Sequence, residues 1–562
     1  MQIPLNQVMS PTDEQRHEML RMALEGAGRP EDYDYILQSL SPPPDITAYG
    51  EPGELKGTKI GIIGGGLAGM TAAFELRKLG ADITILDANV SRIGGRVFTC
   101  YFDPDGNYYG EFGAMRIPVS HETAWHYINL FGLDTLSMTS PQRNNFLYVH
   151  NTRLRTTDSV EKFLYPKYDL TPQERATPWS ELSSYALEHA FVTLPPSIRS
   201  ELLQILPEYS PEILPLMNMS LRDNYEALGL SQGAINLISG VDPASGLLLQ
   251  SSYEEFAQEE YSFDYRNTYR IEGGNVNLPY AFYQSFFLDD PPQYGKTPAK
   301  LGTVAFKPGH YVTGIYQSDY RNKVVLRYKV ENETKINADI FDYVICAIPY
   351  SCLRLVEIKP YFSNMRMQAI LEQNYADALK ALFFCNRRFW ERDADYGNII
   401  GGISFTDLPI QSIIYPSDHN LCLMQGTCSP KEPGVLVASY NMAQNAVRLG
   451  GLDIARQYEV IRQNVEEVHG LPRGFLNSIV ERYQAVHWNT EPDSLGAFAL
   501  NLPRQKPLFA YENLKPEYNN RVFFAGEHIS NKHGWIQGAL YTGKAAANQL
   551  AYQNHTTAKF RR

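Results

Sequence analysis

The chain has 562 residues, too many for a single hydrophobic core, so two or three core-bearing regions are expected. A hydrophobic fraction of 44% and an aromatic fraction of 12% exclude a disordered chain. A net charge of −12 argues against a nucleic-acid partner and would draw cationic substrates toward the protein.

The first residues, Met1 to Met19, lack a basic start followed by an apolar run, and no stretch of about 18 apolar residues occurs; neither a secretory signal nor a membrane span is expected, and the location reads as cytoplasmic. Ser10-Pro11-Thr12-Asp13 reads as a helix start, with Ser10 as cap and Pro11 in the first turn. That helix should run to about Leu24 and stop at Gly26-Ala27-Gly28, with a second one over Glu31–Leu40, ended by Pro42-Pro43-Pro44. Lys59–Ile63 is a short apolar strand, Gly64–Gly69 a turn, Met70–Leu79 a helix closed by Gly80, and Asp82–Leu86 a second strand: one complete β-α-β unit. A loop over Tyr101–Gly110 follows. Trp179–Phe191, Pro196–Leu206 and Gln232–Ile238 read as helices of an insertion. Strand patterns return at Thr303–Phe306, His310–Tyr316, Val324–Lys329 and Tyr343–Ala347; a last strand covers Arg521–Phe524 and a last helix Gly534–Leu550.

The six cysteines, Cys100, Cys346, Cys352, Cys385, Cys422 and Cys428, contain no CxxC pair and have no His cluster beside them at metal-ligand spacing. They read as buried thiols of a reducing compartment, and neither a disulfide nor a metal is expected.

Gly64-Gly65-Gly66-Leu67-Ala68-Gly69 matches G-x-G-x-x-G, follows a strand, and leads into a helix. Gly64 permits the tight turn, Gly66 lets the backbone approach a pyrophosphate, and Gly69 lets the helix sit close to the strand, while the helix N-terminus offers N–H groups to the anion. Asp87, at the end of the second strand and followed by Ala88, suits the ribose hydroxyls of an adenosine half. Farther on, Arg92-Ile93-Gly94-Gly95-Arg96 supplies a second Gly pair followed by an Arg able to fork onto phosphate. Near the C-terminus, Gly526-Glu527 follows the last strand, and Gly534-Trp535-Ile536 opens the last helix.

In this order, the three signatures resemble those of the flavin amine oxidase superfamily. The resemblance implies non-covalent FAD, since the place where covalent members carry a Cys looks like Gly496-Ala497 here. It also implies a Glu527 that binds the ribityl or pyrophosphate part and a last helix whose N-terminus faces the isoalloxazine, where its dipole favours the anionic reduced flavin. The residues expected to touch the cofactor are Gly64, Gly66, Leu67, Ala68, Gly69, Asp87, Ala88, Arg92, Gly94, Gly95, Arg96, Gly113, Ala114, Met115, Arg116, Val312, Gly526, Glu527, Gly534, Trp535 and Ile536.

The implied fold is an α/β two-domain flavin amine oxidase fold. Its boundaries would be an N-terminal helical arm over 1–56; a discontinuous Rossmann-like FAD-binding domain over 57–96, 268–375 and 516–555; a mixed-sheet substrate domain over 97–155 and 376–515; and a helical domain over 156–267.

Gly113-Ala114-Met115-Arg116-Ile117-Pro118 resembles the segment of L-amino acid oxidases in which an Arg holds the substrate carboxylate. The same family resemblance gives Tyr440 a hydroxyl on that carboxylate, with Tyr415 as the competing choice. It gives Lys380 a water at flavin N5, and Trp535 with Gly534 a wall around the substrate amine. Trp488 and Phe498 are candidates for the flavin surround. Where some members carry a His base, Phe256-Ala257-Gln258-Glu259-Glu260 has Gln and Glu, so a His base is not supported.

The expected reaction is oxidative deamination of an L-amino acid by hydride transfer to flavin N5, with O2 as acceptor, giving a 2-oxo acid, ammonia and hydrogen peroxide. A basic, arginine-like side chain is the first choice, with Asp223, Glu226, Glu254, Glu255, Glu259, Glu260 and Asp264 as an acidic entry path. A polyamine or monoamine oxidase and a non-oxidase flavoprotein are the alternatives. The family resemblance also points to a homodimer or larger homo-oligomer.

Overall fold

The computed structural model describes residues 4–138, 144–242, 246–295, 301–318, 322–392 and 397–561. The first β-α-β unit forms where the sequence places it. Lys59–Ile63 and Asp82–Leu86 pair in parallel, and Thr303–Lys307, Tyr343–Cys346 and Val522–Phe524 complete a five-stranded parallel sheet. The order is Thr303–Lys307, Asp82–Leu86, Lys59–Ile63, Tyr343–Cys346, Val522–Phe524, so strands far apart in the chain are neighbours. Ile60 to Ile63 and Tyr343 to Cys346 are buried throughout, the continuous apolar pattern of parallel strands covered on both faces. One cover is the helix Leu67–Arg77, in which every residue is buried. The C-terminal helix Ile536–Arg561 packs on that helix at glycine distance: a Cβ on Gly543 would lie 2.4 Å from the Ala68 carbonyl oxygen.

A four-stranded sheet, Ile336–Phe341, Lys323–Val330, His310–Ser318 and Glu357–Lys359, lies against the first one through a core of Val312, Ile315, Leu326, Val344 and Phe524. The second main layer is a seven-stranded mixed sheet. Its strand Ala378–Cys385, buried at every position, lies between Val480–His487 and Gly434–Met442. Segments from 160 to 261 are helical and share one core that also takes in Leu20, Leu24 and Ile36 of the N-terminal arm. No helix among the described residues is long and apolar enough to cross a membrane.

Several boundaries differ from the sequence reading. The first helix is Asp13–Gly26, capped by Thr12, whose hydroxyl accepts from Gln15 N in a capping box. Ser10 is not the cap: its backbone sits at φ 43°, and its hydroxyl is engaged by Asp134 and the Thr135 N–H. Pro196–Leu206 is not one helix but Pro196–Arg199 followed by a 3-10 turn over Ser200–Leu203. The glycine turn is shorter than expected, the helix starting at Leu67, and the last helix starts at Ile536 and runs on to Arg561.

The cysteine reading holds for Cys100, Cys346, Cys352 and Cys385, which are buried free thiols, and fails for the other two. Cys422 and Cys428 form a disulfide, with Cα atoms 5.4 Å apart. A spacing of six residues carries no sequence signal for pairing; the short helix Asn420–Gln425 and the turn at Gly426 fold the two together.

Candidate active site

A cavity of about 640 Å³ runs from the glycine turn at Gly64 to Trp535. Every residue expected to touch the cofactor lines it except Gly69, which lies behind the turn. A Cβ on Gly69 would come within 2.1 Å of the Gly64 carbonyl oxygen, so only glycine lets the helix start this close to the strand. Gly64 itself sits at φ +99°, a left-handed backbone that glycine adopts without strain.

At this end the groups hold one another. The Asp87 carboxylate accepts from Gly65 N at 2.5 Å and Asn89 N at 3.0 Å, and burial pushes its acid up in spite of them. The two glycine motifs touch through a bridge between Gly66 and Gly94. Arg92 donates to the Gly95 carbonyl, with its guanidinium 4.5 Å from the Phe98 ring centroid. Arg96 Nη1 donates to Glu527 Oε1 at 2.5 Å and to Ala497 O at 3.2 Å. Glu527 also accepts from Gly534 N at 2.8 Å. Burial alone would raise its acid, but Arg96, His533, His528 and the Gly534 N–H together hold it below the ordinary value. The sequence reading assigned Arg96 to phosphate; in the structure its guanidinium ties the second glycine motif to the end of the last sheet strand.

The other end is built from side chains that come from distant parts of the chain. A Cβ on Gly113 would lie 1.9 Å from Arg96 O, so the stretch 113–116 passes hard against the second glycine motif. Lys380 Nζ donates to Gly113 O at 2.6 Å. Lys380 and Tyr440 face each other across adjacent antiparallel strands, with Nζ 4.6 Å from the Tyr440 ring centroid. Burial, reinforced by Arg116, pulls the Lys380 ammonium down to about 7. Arg116 lines the cavity and makes no ion pair with a carboxylate among the described residues; its guanidinium lies 5.9 Å from the Tyr265 ring centroid. Burial pushes the Tyr440 phenol up to about 12. Trp535 Nε1 donates to Glu259 Oε1 at 2.7 Å, and its ring stands edge-on to His121, with centroids 5.0 Å apart.

The family model for flavin containing amine oxidoreductases matches residues 67–551. The chain belongs to that family. It is 26% identical over 490 residues to an L-amino-acid oxidase of Notechis scutatus scutatus, covering 87% of this chain and 86% of the relative. It is also 26% identical over 529 residues to an L-amino-acid oxidase of Daboia russelii, covering 94% of each. Among solved structures, a putrescine oxidase bound to putrescine superposes with a TM-score of 0.61 at 16% identity, over 90% of this chain and 99% of that one. A cyclohexylamine oxidase from Brevibacterium oxydans IH-35A gives 0.63 at 15% identity, over 90% and 100%. At these identities the two structures show the fold alone.

As a member of this family the chain is an oxidoreductase acting on amino groups, and its cofactor is FAD. The cavity fits that group. Glycines at 64, 66, 94 and 95 leave the backbone bare along one end, with Asp87 beside them. Asp87, Glu527 and Trp535 all line this one cavity.

Of the residues put forward from sequence as alternatives, Tyr415 reaches the cavity wall, but its hydroxyl is already bonded to Ser404 Oγ at 2.9 Å and His469 Nε2 at 2.8 Å. Tyr440 is therefore the better placed of the two tyrosines. Trp488 Nε1 donates to Phe112 O at 3.1 Å, and Phe498 packs against Gly534; both line the cavity.

The expected acidic path divides. Glu255, Glu259 and Glu260 line the cavity. The other four do not, so the path is narrower than the sequence reading had it. Asp223 is spent on capping the helix Leu221–Ala227, and Glu226 bonds Gln232 on the surface. Glu254 pairs with Lys506 at 3.2 Å, and Asp264 with Lys532 at 2.7 Å, all buried. Burial, compounded by Glu188, Glu259 and Asp242, lifts Glu260 to about 8; burial and then Asp264 lift Glu259 to about 7.

Sequence reasoning missed Tyr265, Asp242, His533 and Glu111. Tyr265 lines the cavity and donates to Glu259 Oε2 at 3.1 Å. His533 Nδ1 lies 2.8 Å from Glu255 Oε1; burial would depress this ring, but Glu255, with Glu527 and Glu254, raises it to about 9. Glu111, buried behind Lys380, accepts from Thr99 Oγ1 and Asn275 N, yet burial raises it to about 7. Only His533, next to Gly534, stood beside a motif that could have flagged it.

Proposed function

We propose that the protein is an L-amino acid oxidase that converts its substrate to a 2-oxo acid, ammonia and hydrogen peroxide. The observation that carries this reading is Arg116: a guanidinium lining the cavity with no carboxylate partner among the described residues, close to Tyr440 and Lys380. A planar fork of donors left without an anion in this cavity is matched by a ligand carboxylate, which simple amines lack. The L configuration is taken from the relatives named above.

FAD would be held without a covalent link by Gly64, Gly66, Leu67, Ala68, Asp87, Ala88, Arg92, Gly94, Gly95, Arg96, Val312, Gly526 and Glu527, and would supply the acceptor for the substrate's hydride, O2 being reduced to hydrogen peroxide. The chain's own residues do the rest. Arg116 takes the carboxylate in two parallel hydrogen bonds and Tyr440 adds its hydroxyl, which together fix the substrate's Cα. Trp535, locked by Glu259, and the Gly534 backbone wall in the amine. Lys380, drawn down to about 7 by burial and Arg116, is largely a neutral amine above that pH and can hold a water with its lone pair. No residue is required as a base when the amine arrives unprotonated.

The side chain then points toward Glu260 and Asp242, carboxyls contributed by the helical region. An acid raised to about 8 by burial and by like charges loses that penalty when a cation sits beside it, so a guanidinium or ammonium end is favoured over an apolar one. The deciding experiment is peroxide release over the twenty L-amino acids, their D forms, and the amines obtained by removing the carboxylate. Peroxide from L-arginine or L-lysine, and little from agmatine or cadaverine, is expected. Turnover of amines alone would assign the protein to the amine oxidases without a carboxylate requirement, and peroxide from none of them would remove the oxidase reading.

A further inference from the structure

One group of metal-ligating side chains gathers outside the cavity. It lies on the segment joining the strand Ser412–Ile414 to the strand Gly434–Met442, both of which carry cavity residues. One donor atom from each of His419, Cys422 and Cys428 lies within 4.8 Å of the others. His419 is buried, and its Nδ1 lies 2.9 Å from Glu391 Oε2. Glu391 is itself buried and fixed by Arg388 at 3.4 Å, and Arg388 pairs with Asp418 at 2.6 Å. This chain of ion pairs sets the ring, and the free face of the imidazole, Nε2, lies 3.5 Å from Glu432 Oε2.

A histidine whose far nitrogen donates to a buried carboxylate is the arrangement that orients metal-bound imidazoles, because it puts the lone pair on the other nitrogen. Purely structural disulfides need no such device. We propose that when Cys422 and Cys428 are reduced, their two thiolates and His419 Nε2 supply three positions of a tetrahedral Zn2+ site, with water in the fourth. Two sulfurs and one imidazole nitrogen are a donor set zinc takes, and cations that favour only oxygen donors do not. The sulfurs already meet at one point, so admitting an ion at about 2.3 Å from each needs only that they part. Gly426, in the left-handed region at φ +70° with no heavy atom within 4 Å of the position a Cβ would take, lies between them and leaves the turn room to open.

The disulfide and the metal exclude each other. A dithiol reductant delivers two electrons and two protons, the S–S bond breaks, two thiols form, and the reductant leaves as its own disulfide. Zinc then displaces the two thiol protons. The structure shows the oxidised, closed form. The site is independent of which amine the enzyme oxidises.

The test uses full-length, FAD-loaded protein, treated anaerobically with a phosphine reductant that does not itself bind metal, desalted, and titrated with Zn2+ or with Co2+ as a coloured stand-in. A single tight equivalent with thiolate-to-cobalt charge-transfer bands is expected in the reduced protein, none before reduction, and none in the reduced double variant C422S/C428S, whose flavin content should match the parent. E391Q should weaken the site by about 10–100-fold by freeing the His419 ring. Cobalt uptake no greater than in C422S/C428S, or uptake without thiolate bands, overturns the proposal. Unchanged affinity in E391Q removes His419 from the ligand set and overturns it as well.

Discussion

The two ends of the cavity are made in opposite ways. At the nucleotide end the shape is backbone: glycines pass within contact distance of carbonyl oxygens, and the charged groups, Asp87, Arg96 and Glu527, are already satisfied by one another or by N–H donors. At the substrate end the shape is side chain, with a guanidinium that has no carboxylate partner among the described residues, an ammonium drawn to about 7, and two glutamates raised to about 7 and about 8. The first end is rigid and pre-satisfied, which suits a cofactor that stays. The second stores unmet electrostatic demand that an incoming zwitterion with a cationic side chain satisfies, which suits a ligand that comes and goes.

The largest effect is expected where backbone contact leaves no slack. Gly69→Ala places a methyl carbon 2.1 Å from the Gly64 oxygen, so the variant should purify with no bound flavin, read by the visible absorbance of the purified chain. A flavin-replete Gly69→Ala would mean that this end yields as readily as the other. Next is R116A. Losing a bidentate charge pair costs about 3–4 kcal/mol, so kcat/KM for the amino acid should fall about 10²–10³-fold, with little change for the corresponding decarboxylated amine. Equal losses on both would show that Arg116 supports the flavin instead.

E260Q comes third: it keeps the shape and removes the charge, and should raise KM for arginine about 10-fold while leaving leucine unchanged. The smallest effect concerns stability. The folded protein releases the Lys380 proton near pH 7, whereas an unfolded lysine keeps it to 10.5, so the unfolded chain binds more protons between these values. Stability therefore rises with pH across that window. K380M removes the penalty of burying the charge, so its gain in Tm over the parent should be greatest at pH 7 and below and should vanish toward pH 10.5. A constant difference would mean that Lys380 is not held neutral by burial.

The same contrast governs what the sequence could reveal. Gly64–Gly69 and Asp87 were legible because they fall within one β-α-β unit, where Gly69 answers the Gly64 carbonyl oxygen and Asp87 accepts from Gly65 N. Arg116, Lys380, Tyr440 and Trp535 were found only by resemblance, since nothing local says that strands near 380 and 440 will face a loop at 116. Tyr265 and Asp242 were not found at all, because their place in the wall is set by how the helical region docks. Ser10 misled for a similar reason: its hydroxyl was taken by Asp134 and Thr135, a tertiary partner, and the cap fell to Thr12. The seven acidic residues looked alike in sequence, yet Lys506 and Lys532, far along the chain, neutralise two of them.

The parallel sheet at the nucleotide end also sets a schedule for the ribosome. Lys59–Ile63 emerges first, but its neighbour Tyr343–Cys346 comes after the helical region, and the edge strand Val522–Phe524, with Glu527 just beyond it, comes later still. The first glycine motif must therefore wait, with its anion-binding turn unsupported, until all the residues between it and that edge strand have been made. Flavin capture follows synthesis of the edge strand, so supply of the cofactor matters after that point more than before it.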